Sequence, residues 1–307
     1  MEEKEKMKFG KYSVSISNRD KIFFPSSKYT KGDLIDYYKK ISELMIPHIK
    51  GRPISMLRFP DGINGKQFYQ KDTPDYFPDW IEVKQVKKQD GGTTNYVICN
   101  NTATLVYLAN QACITPHIWL SKKDKLDYPD RMIFDLDHSD NDFSKVKSVA
   151  EKLKKILGKD LNLPVCLMTT GSRGLHVVIP LERSSNFDEV RDFAQTIAKH
   201  LETENPGEIT TATHINKRGN KLYIDTARNG FGQTSVAPYA IRPIEGAPVA
   251  TPIDWEELEN SSLTSQTYNI KNIFIRLEKI ANPWRDINKH PASITSAWKK
   301  LNEIMKQ

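Results

Sequence analysis

Arg131-Met132-Ile133-Phe134-Asp135-Leu136-Asp137 reads as a β-strand with two unlike faces. Side chains alternate along a strand, so Asp135 and Asp137 project from one face while Met132, Phe134 and Leu136 point into a core. Lys221-Leu222-Tyr223-Ile224-Asp225 repeats the design, with Leu222 and Ile224 inward and Asp225 at the strand end. Three carboxylates gathered on a sheet supply hard oxygen ligands for two divalent cations, the arrangement that in-line phosphoryl or nucleotidyl transfer needs.

Working outward from this strand, Phe143, Val146, Ala150, Leu153 and Leu157 recur at helical spacing. Val165 to Thr169 reads as a strand, Gly171-Ser172-Arg173-Gly174 as a turn, and Leu175 to Ile179 as the returning strand. A helix opens at Asn186, with Glu189 at the third position, and the strand ending at Asp225 follows. The order β-α-β-β-α-β is the split ferredoxin-like plan, which by itself does not give a function.

Upstream, Tyr12 to Ile16 reads as a strand, and Thr30 with Asp33 as the capping box of a helix through Leu34, Tyr37, Tyr38, Ile41 and Met45. Strands are expected at Ile54–Arg58, Gln67–Gln70 and Trp80–Val83, and a helix from Thr102 to Ala112. Residues after Trp255 read as a helical appendix. The expected organisation is one α+β catalytic domain over 1–307. It comprises an N-terminal α/β module (about 1–115), a catalytic palm-like module (116–255) and a C-terminal appendix (256–307).

The chain has 307 residues, 38% of them hydrophobic, enough for one large domain or two packed modules. Lys+Arg 45 against Asp+Glu 38 gives a net charge of +7, which suits a polyanionic partner without requiring one. Cys99, Cys113 and Cys166 form no C-x-x-C pair, and an odd count makes a poor disulfide framework. Cys166, within Leu163-Pro164-Val165-Cys166-Leu167-Met168, reads as a buried apolar residue. The charged start Met1-Glu2-Glu3-Lys4-Glu5-Lys6 lacks an apolar signal region, and no apolar run is long enough to span a bilayer. The expectation is a cytoplasmic protein with no membrane partner.

The turn Thr169-Thr170-Gly171-Ser172-Arg173-Gly174-Leu175-His176 has two readings. It is an ordinary hairpin turn, or a phosphate grip in which Ser172, Arg173 and backbone N–H groups hold the anion with His176 one step further in. Its place beside the aspartate strand favours the grip. Arg242 follows Asn229, Gln233, Thr234 and Ser235, groups able to contact sugar or phosphate, though each taken singly reads as structural. Lys21, Lys31, Arg58 and Lys71 fall in or near loops, where basic residues are ordinarily just solvated. Phe68-Tyr69 beside Lys71 is either a core strand or a surface on which unpaired bases stack. His117, in Pro116-His117-Ile118-Trp119, is a half-buried histidine or a group near the metals.

Taken together, these blocks resemble the polymerase domain of bacterial and archaeal DNA ligase D, in the archaeo-eukaryotic primase superfamily. The resemblance runs from about Val14 to Trp284. It rests on Asn18-Arg19-Asp20-Lys21-Ile22-Phe23-Phe24-Pro25, Thr30-Lys31-Gly32-Asp33-Leu34, Gly51-Arg52-Pro53 and Arg58-Phe59-Pro60-Asp61-Gly62. Phe68-Tyr69-Gln70-Lys71, Phe134-Asp135-Leu136-Asp137, Gly174-Leu175-His176 and Ala237-Pro238-Tyr239 through Pro252 continue it. It implies a primase-polymerase fold with an RRM/ferredoxin-like catalytic sheet and a packed N-terminal α/β module. It also implies a template-directed nucleotidyltransferase that adds preferentially ribonucleotides at DNA gaps and broken ends in non-homologous end joining. Asp135, Asp137 and Asp225 would be the catalytic, metal-binding triad, holding two Mn2+ or Mg2+ ions. Ser172, His176, His117 and Arg242 would surround the incoming NTP or dNTP, with Arg173 nearby. Lys21 and Lys31 would hold the 5′-phosphate of the gap or break, Phe68 and Tyr69 the template, and Lys71 a backbone phosphate. The implied partners are DNA, a DNA ligase and a Ku-like end-bridging protein, in a bacterial or archaeal cytoplasm at the nucleoid.

Three departures stand out. Thr115 replaces a frequent acidic residue two places before His117, His138-Ser139 replace a common Pro-Gly, and Tyr69 replaces a second phenylalanine. There is no room for attached ligase and nuclease domains, so the chain is expected to be free-standing or excised from a longer one. Other readings remain open. Phe134-Asp135-Leu136-Asp137 also resembles the nucleophile strand of haloacid-dehalogenase-type phosphatases. A catalytically weak end-bridging protein and a primase that starts chains de novo complete the set.

Overall fold

The computed structural model describes residues 5–88, 91–138 and 142–306. Residues 1–4 of the charged start, and Ser139 of the His138-Ser139 departure, lie outside the described residues. In chain order the elements are β1 (Lys6–Phe9), β2 (Tyr12–Ser15), β3 (Ile22–Phe24), β4 (Tyr29–Thr30), α1 (Lys31–Ile49), β5 (Pro53–Arg58), β6 (Phe68–Gln70), β7 (Val83–Lys87), β8 (Thr93–Ile98), α2 (Thr102–Asn110) and β9 (Cys113–Trp119). Then come β10 (Arg131–Asp137), α3 (Phe143–Lys154), β11 (Cys166–Thr169), β12 (Leu175–Pro180), α4 (Phe187–Glu204), β13 (Ile209–Thr210) and β14 (Leu222–Asp225). The chain closes with β15 (Thr234–Val236), β16 (Thr251–Ile253), α5 (Ile273–Lys279) and α6 (Ile294–Ile304).

Contacts divide the chain into two compact units. The first comprises Met1–Asp124, Thr234–Ala250 and Tyr268–Arg276; the second comprises Lys125–Gln233, Thr251–Thr267 and Leu277–Gln307. Strand β9 and the segment around Arg242, which the sequence grouped with the catalytic module, therefore have their contacts in the first unit. Sequence proximity to the aspartate strand does not reveal which sheet a strand joins; here β9 pairs with β5 and β15.

In the first unit the sheet order is β15-β9-β5-β8-β7, with β6 also paired to β5. Helix α1 starts at the expected cap: Thr30 Oγ1 accepts from Asp33 N (3.2 Å), and Thr30 N donates to Asp33 Oδ2 (2.7 Å). This reciprocal pair satisfies two of the donors that a helix start leaves open. Leu34, Ile35, Tyr38, Ile41 and Met45 make its buried face. The strand expected at Trp80–Val83 begins only at Val83, because Phe77 to Ile81 turns through bonds from Phe77 N to Pro74 O and from Ile81 N to Pro78 O.

The sheet of the second unit runs β13-β14-β10-β12-β11-β16. Its inner four strands have the ferredoxin-like order, each antiparallel to its neighbour. Met132, Phe134 and Leu136 pair across to Ile179, Val177 and Leu175, forming a fully buried apolar face on a sheet that α3 and α4 pack against. Strands β13 and β16 were not legible, since two or three residues carry too little alternation to register. After Trp255 the chain has a short 3-10 turn (Trp255–Glu259) and helices α5 and α6, joined by turns. Among the described residues no helix is long and apolar enough to cross a membrane.

Candidate active site

The ladder of the second unit brings the expected carboxylates together. Asp135 is the register partner of both Asp225 on β14 and His176 on β12, so all three side chains share one face. Asp137 lies opposite Tyr223 on that face. His176 is buried, with Nε2 3.4 Å from Asp135 Oδ1. Arg173 Nη2 is 3.0 Å from Asp137 Oδ2, a pair about half exposed on the arginine side. Asp225 Oδ1 accepts from Ala227 N (2.8 Å), which orients the carboxylate at the strand end.

Arg228 was missed as a site residue. Its Nε lies 3.5 Å from Asp135 Oδ2 and 3.7 Å from Asp225 Oδ2. The available signal was its position three residues beyond Asp225, where the short 3-10 turn Ala227–Asn229 folds it back over the carboxylates. Tyr223 is also part of this face. Burial first, and then the charge of Asp225, raise its pKa, so the phenol keeps its proton, and Arg218 stacks on the ring with Cζ 3.6 Å from its centroid. Asn229, offered as a sugar or phosphate contact, is instead fully buried. Its Oδ1 accepts from Ile133 N (2.8 Å) and its Nδ2 donates to Ile133 O (2.7 Å), tying the turn to β10. Ser235 is buried in β15.

The Ser172 turn is firmly built. Thr170 Oγ1 accepts from Ser172 N (3.3 Å) and Gly174 N (3.2 Å). Gln266 Nε2 donates to Ser172 O (2.8 Å), and Ser265 Oγ donates to Gly174 O (2.8 Å). Thr170 supports the turn from within it, and Ser265 and Gln266 are supports that sequence distance concealed. Gly174 lies against the aspartate strand so closely that a Cβ there would sit 1.7 Å from Leu136 O. Only glycine permits that approach.

In the first unit, the β3–β4 hairpin brings the two end-binding candidates together: Lys31 N donates to Lys21 O (2.8 Å). Lys21 Nζ reaches Asp61 Oδ1 (2.6 Å). Lys31 is buried rather than solvated, with Nζ on Ser17 O (2.6 Å). Burial, and next the nearby charges of Lys21 and Arg58, lower its pKa to about 8. Phe68 and Tyr69 form no core strand: they are exposed on β6, and Lys71 is exposed beyond them. Tyr69 meets the half-buried His117 edge-on, ring centroids 5.4 Å apart. Arg242 is half-buried, its N–H donating to Pro248 O (2.7 Å). Cys166 is half-buried rather than fully buried, and burial still pushes its thiol up to about 11.

Among the described residues no set of three or more His, Cys, Asp or Glu side chains is arranged to hold a metal ion. The carboxylates instead face guanidinium groups, Arg228 for Asp135 and Asp225 and Arg173 for Asp137. The donor chemistry nevertheless fits a hard divalent cation: three carboxylates on two paired strands, with enough uncompensated charge to draw in two arginines.

The family model for the LigD primase-polymerase domain matches residues 30–284. The chain is 31% identical over 280 residues to the bifunctional non-homologous end joining protein LigD of Bacillus subtilis, covering 91% of this chain and 44% of that protein. It is 32% identical over 276 residues to the multifunctional LigD protein of Pseudomonas aeruginosa, covering 89% and 32%. It therefore spans a third to under half the length of these relatives. Among solved structures, the polymerase domain of Mycobacterium tuberculosis ligase D in complex with DNA superposes with a TM-score of 0.84 at 26% identity, covering 91% of this chain and 99% of that one.

Proposed function

The chain belongs to the LigD primase-polymerase domain family, and from that premise we propose that it is a DNA-dependent polymerase of non-homologous end joining, a nucleotidyltransferase that fills gaps and broken ends with ribonucleotides in preference. The observation that carries this reading is the register that sets Asp135 between His176 and Asp225 on one face of the sheet. Carboxylates by themselves repel a triphosphate, so the pattern suits nucleotidyl transfer only with divalent cations held between the two.

Asp135, Asp137 and Asp225 would hold divalent ions, Mn2+ or Mg2+, whose chemistry when bound is Lewis-acid activation of a hydroxyl and neutralisation of phosphate charge. Arg228 and Arg173 lie beside these carboxylates, and each is exposed enough to turn toward phosphate oxygens. His176, held beside Asp135, and the Ser172-Arg173 turn contact the incoming nucleotide's phosphates. Lys21 and Lys31 hold the 5′-phosphate across the β3–β4 hairpin: Lys21 exchanges its carboxylate partner Asp61 for phosphate, and Lys31 regains full charge beside the anion. Phe68 and Tyr69 stack on the template strand, and Lys71 contacts its backbone. A DNA ligase and a Ku-like protein are the partners that such end chemistry requires.

The test is primer extension on a 5′-phosphorylated gapped duplex with manganese, comparing ribonucleotides with deoxyribonucleotides, alongside Asp137→Ala. Templated addition that the variant loses, with faster ribonucleotide use, supports the reading. Binding without extension in either metal replaces it with an end-bridging protein.

A further inference from the structure

Arg58 organises a second aromatic position beside Phe68. Its Nε donates to Gln111 O (2.7 Å), and its Nη1 donates to Gln70 Oε1 and to the hydroxyl of Tyr76 (3.1 Å). Its Cζ lies 5.5 Å from the Phe68 ring centroid. One guanidinium, fixed at the end of β5, therefore sits over one aromatic ring and anchors the tip of another. Tyr76 is nonetheless 61% exposed, more than Phe68 (37%) or Tyr69 (57%). An aromatic ring that is held in place and left in water has already given up the side-chain freedom that binding would cost.

Resting on the polymerase reading, we propose that Tyr76 extends the Phe68-Tyr69 surface by one position and stacks on a further unpaired base of the single-stranded template. The occupant follows from the chemistry of the patch. Its exposed apolar groups are aromatic faces, which every base matches, and Arg58 adds cation–π character to both ring and base. Exposed Lys66 and Lys71 flank β6 on either side and suit a phosphodiester backbone. Of the nearby acids, Asp72 and Asp75 are both exposed, and Asp72 is already engaged as acceptor of Asn95 N (2.7 Å).

The experiment measures the affinity of the full chain for fluorescent gapped duplexes whose unpaired template lengthens one nucleotide at a time. Wild type, Tyr76→Ala and Tyr76→Phe are compared. Wild type gains affinity at one particular length, and Tyr76→Ala loses that step by about 5- to 150-fold, the range for one stacked base. Tyr76→Phe keeps the step within about twofold. An abasic residue at that position in the strand abolishes the difference between wild type and Tyr76→Ala. Equal step sizes in wild type and Tyr76→Ala overturn the inference. So does a loss that is equal on blunt duplex, which would mark a backbone or folding role. Wild type that ignores the unpaired strand at every length refutes the polymerase reading instead, so the two failures are distinct.

Discussion

Asp135, Asp225 and His176 are held within a sheet ladder, on neighbouring strands in fixed register, and His176 is almost wholly buried. Phe68, Tyr69 and Tyr76 belong to the first unit's periphery, on the short strand β6 and the turn after it, and stand in water. The two regions also manage charge differently. The carboxylate face draws in Arg228 and Arg173, whereas the hairpin buries Lys31 beside another lysine and lowers its pKa. Groups that must meet reacting atoms need positions fixed by the backbone, and groups that grip a polymer need accessible, partly independent contacts. Substitutions should therefore act steeply in the second unit and in graded steps in the first.

The largest effect belongs to the ladder. Asp135→Ala should lower extension by about 1,000-fold, or about 4 kcal/mol of transition-state stabilisation, with duplex affinity little changed. Single-turnover kinetics and an anisotropy titration check both halves, and near-normal extension would mean that the ladder carboxylates are not the catalytic groups. Next is Gly174→Ala, whose methyl would meet Leu136 O and force β10 and β12 apart. We expect a loss of about 3 kcal/mol in denaturant unfolding, together with activity, because the same strand carries Asp135 and Asp137.

Binding groups should show the smaller, additive behaviour. Lys21→Ala with Lys31→Ala should leave extension chemistry intact and reduce the preference for 5′-phosphorylated over hydroxyl ends by about tenfold, with a shallower salt dependence. A double variant that discriminates like wild type would refute the proposed role of the hairpin in holding the 5′-phosphate. The pH dependence has a definite sign. Lys31 holds its proton less tightly in the fold, at a pKa of about 8, than in the unfolded chain, near the ordinary lysine value of 10.5. The cost of its charge is thus present below about pH 8, and fold stability rises between the two values as that cost disappears. The 5′-phosphate preference should fall over the same window, beginning somewhat above pH 8 because bound phosphate restores the proton. A preference that stays flat from pH 7 to 10 would separate Lys31 from the phosphate.

The smallest effect is expected at the helix cap. Thr30→Ala should cost about 1 kcal/mol of stability and weaken end discrimination only slightly, since the cap positions Lys31 without contacting DNA. A large loss of extension chemistry from this substitution would mean that the two regions are less independent than their construction implies.

Strong local patterns made much of this legible. The capping box at Thr30, the helices after Asp142 and Asn186, and the alternation from Arg131 to Asp137 all appear in the chain where the sequence places them. The Ser172 turn was legible as a turn, but its supports Ser265 and Gln266 were not, because they arrive from almost a hundred residues away. Asn229 was ambiguous for a related reason: an amide that binds sugar and one that ties a turn to a neighbouring strand have the same sequence signature.

What the sequence determined by itself was periodicity: which residues alternate, where helices begin, and that Asp135 and Asp137 share a face. Tertiary structure alone decided that Asp225 and His176 flank Asp135, that Arg228 folds over the carboxylates, that Lys31 is buried and that Tyr76 is tethered yet exposed. The physical reason is range. Backbone sterics and local hydrogen bonds act within a few residues and leave a pattern in the chain, whereas register, burial and electrostatic partners arise only when distant segments meet.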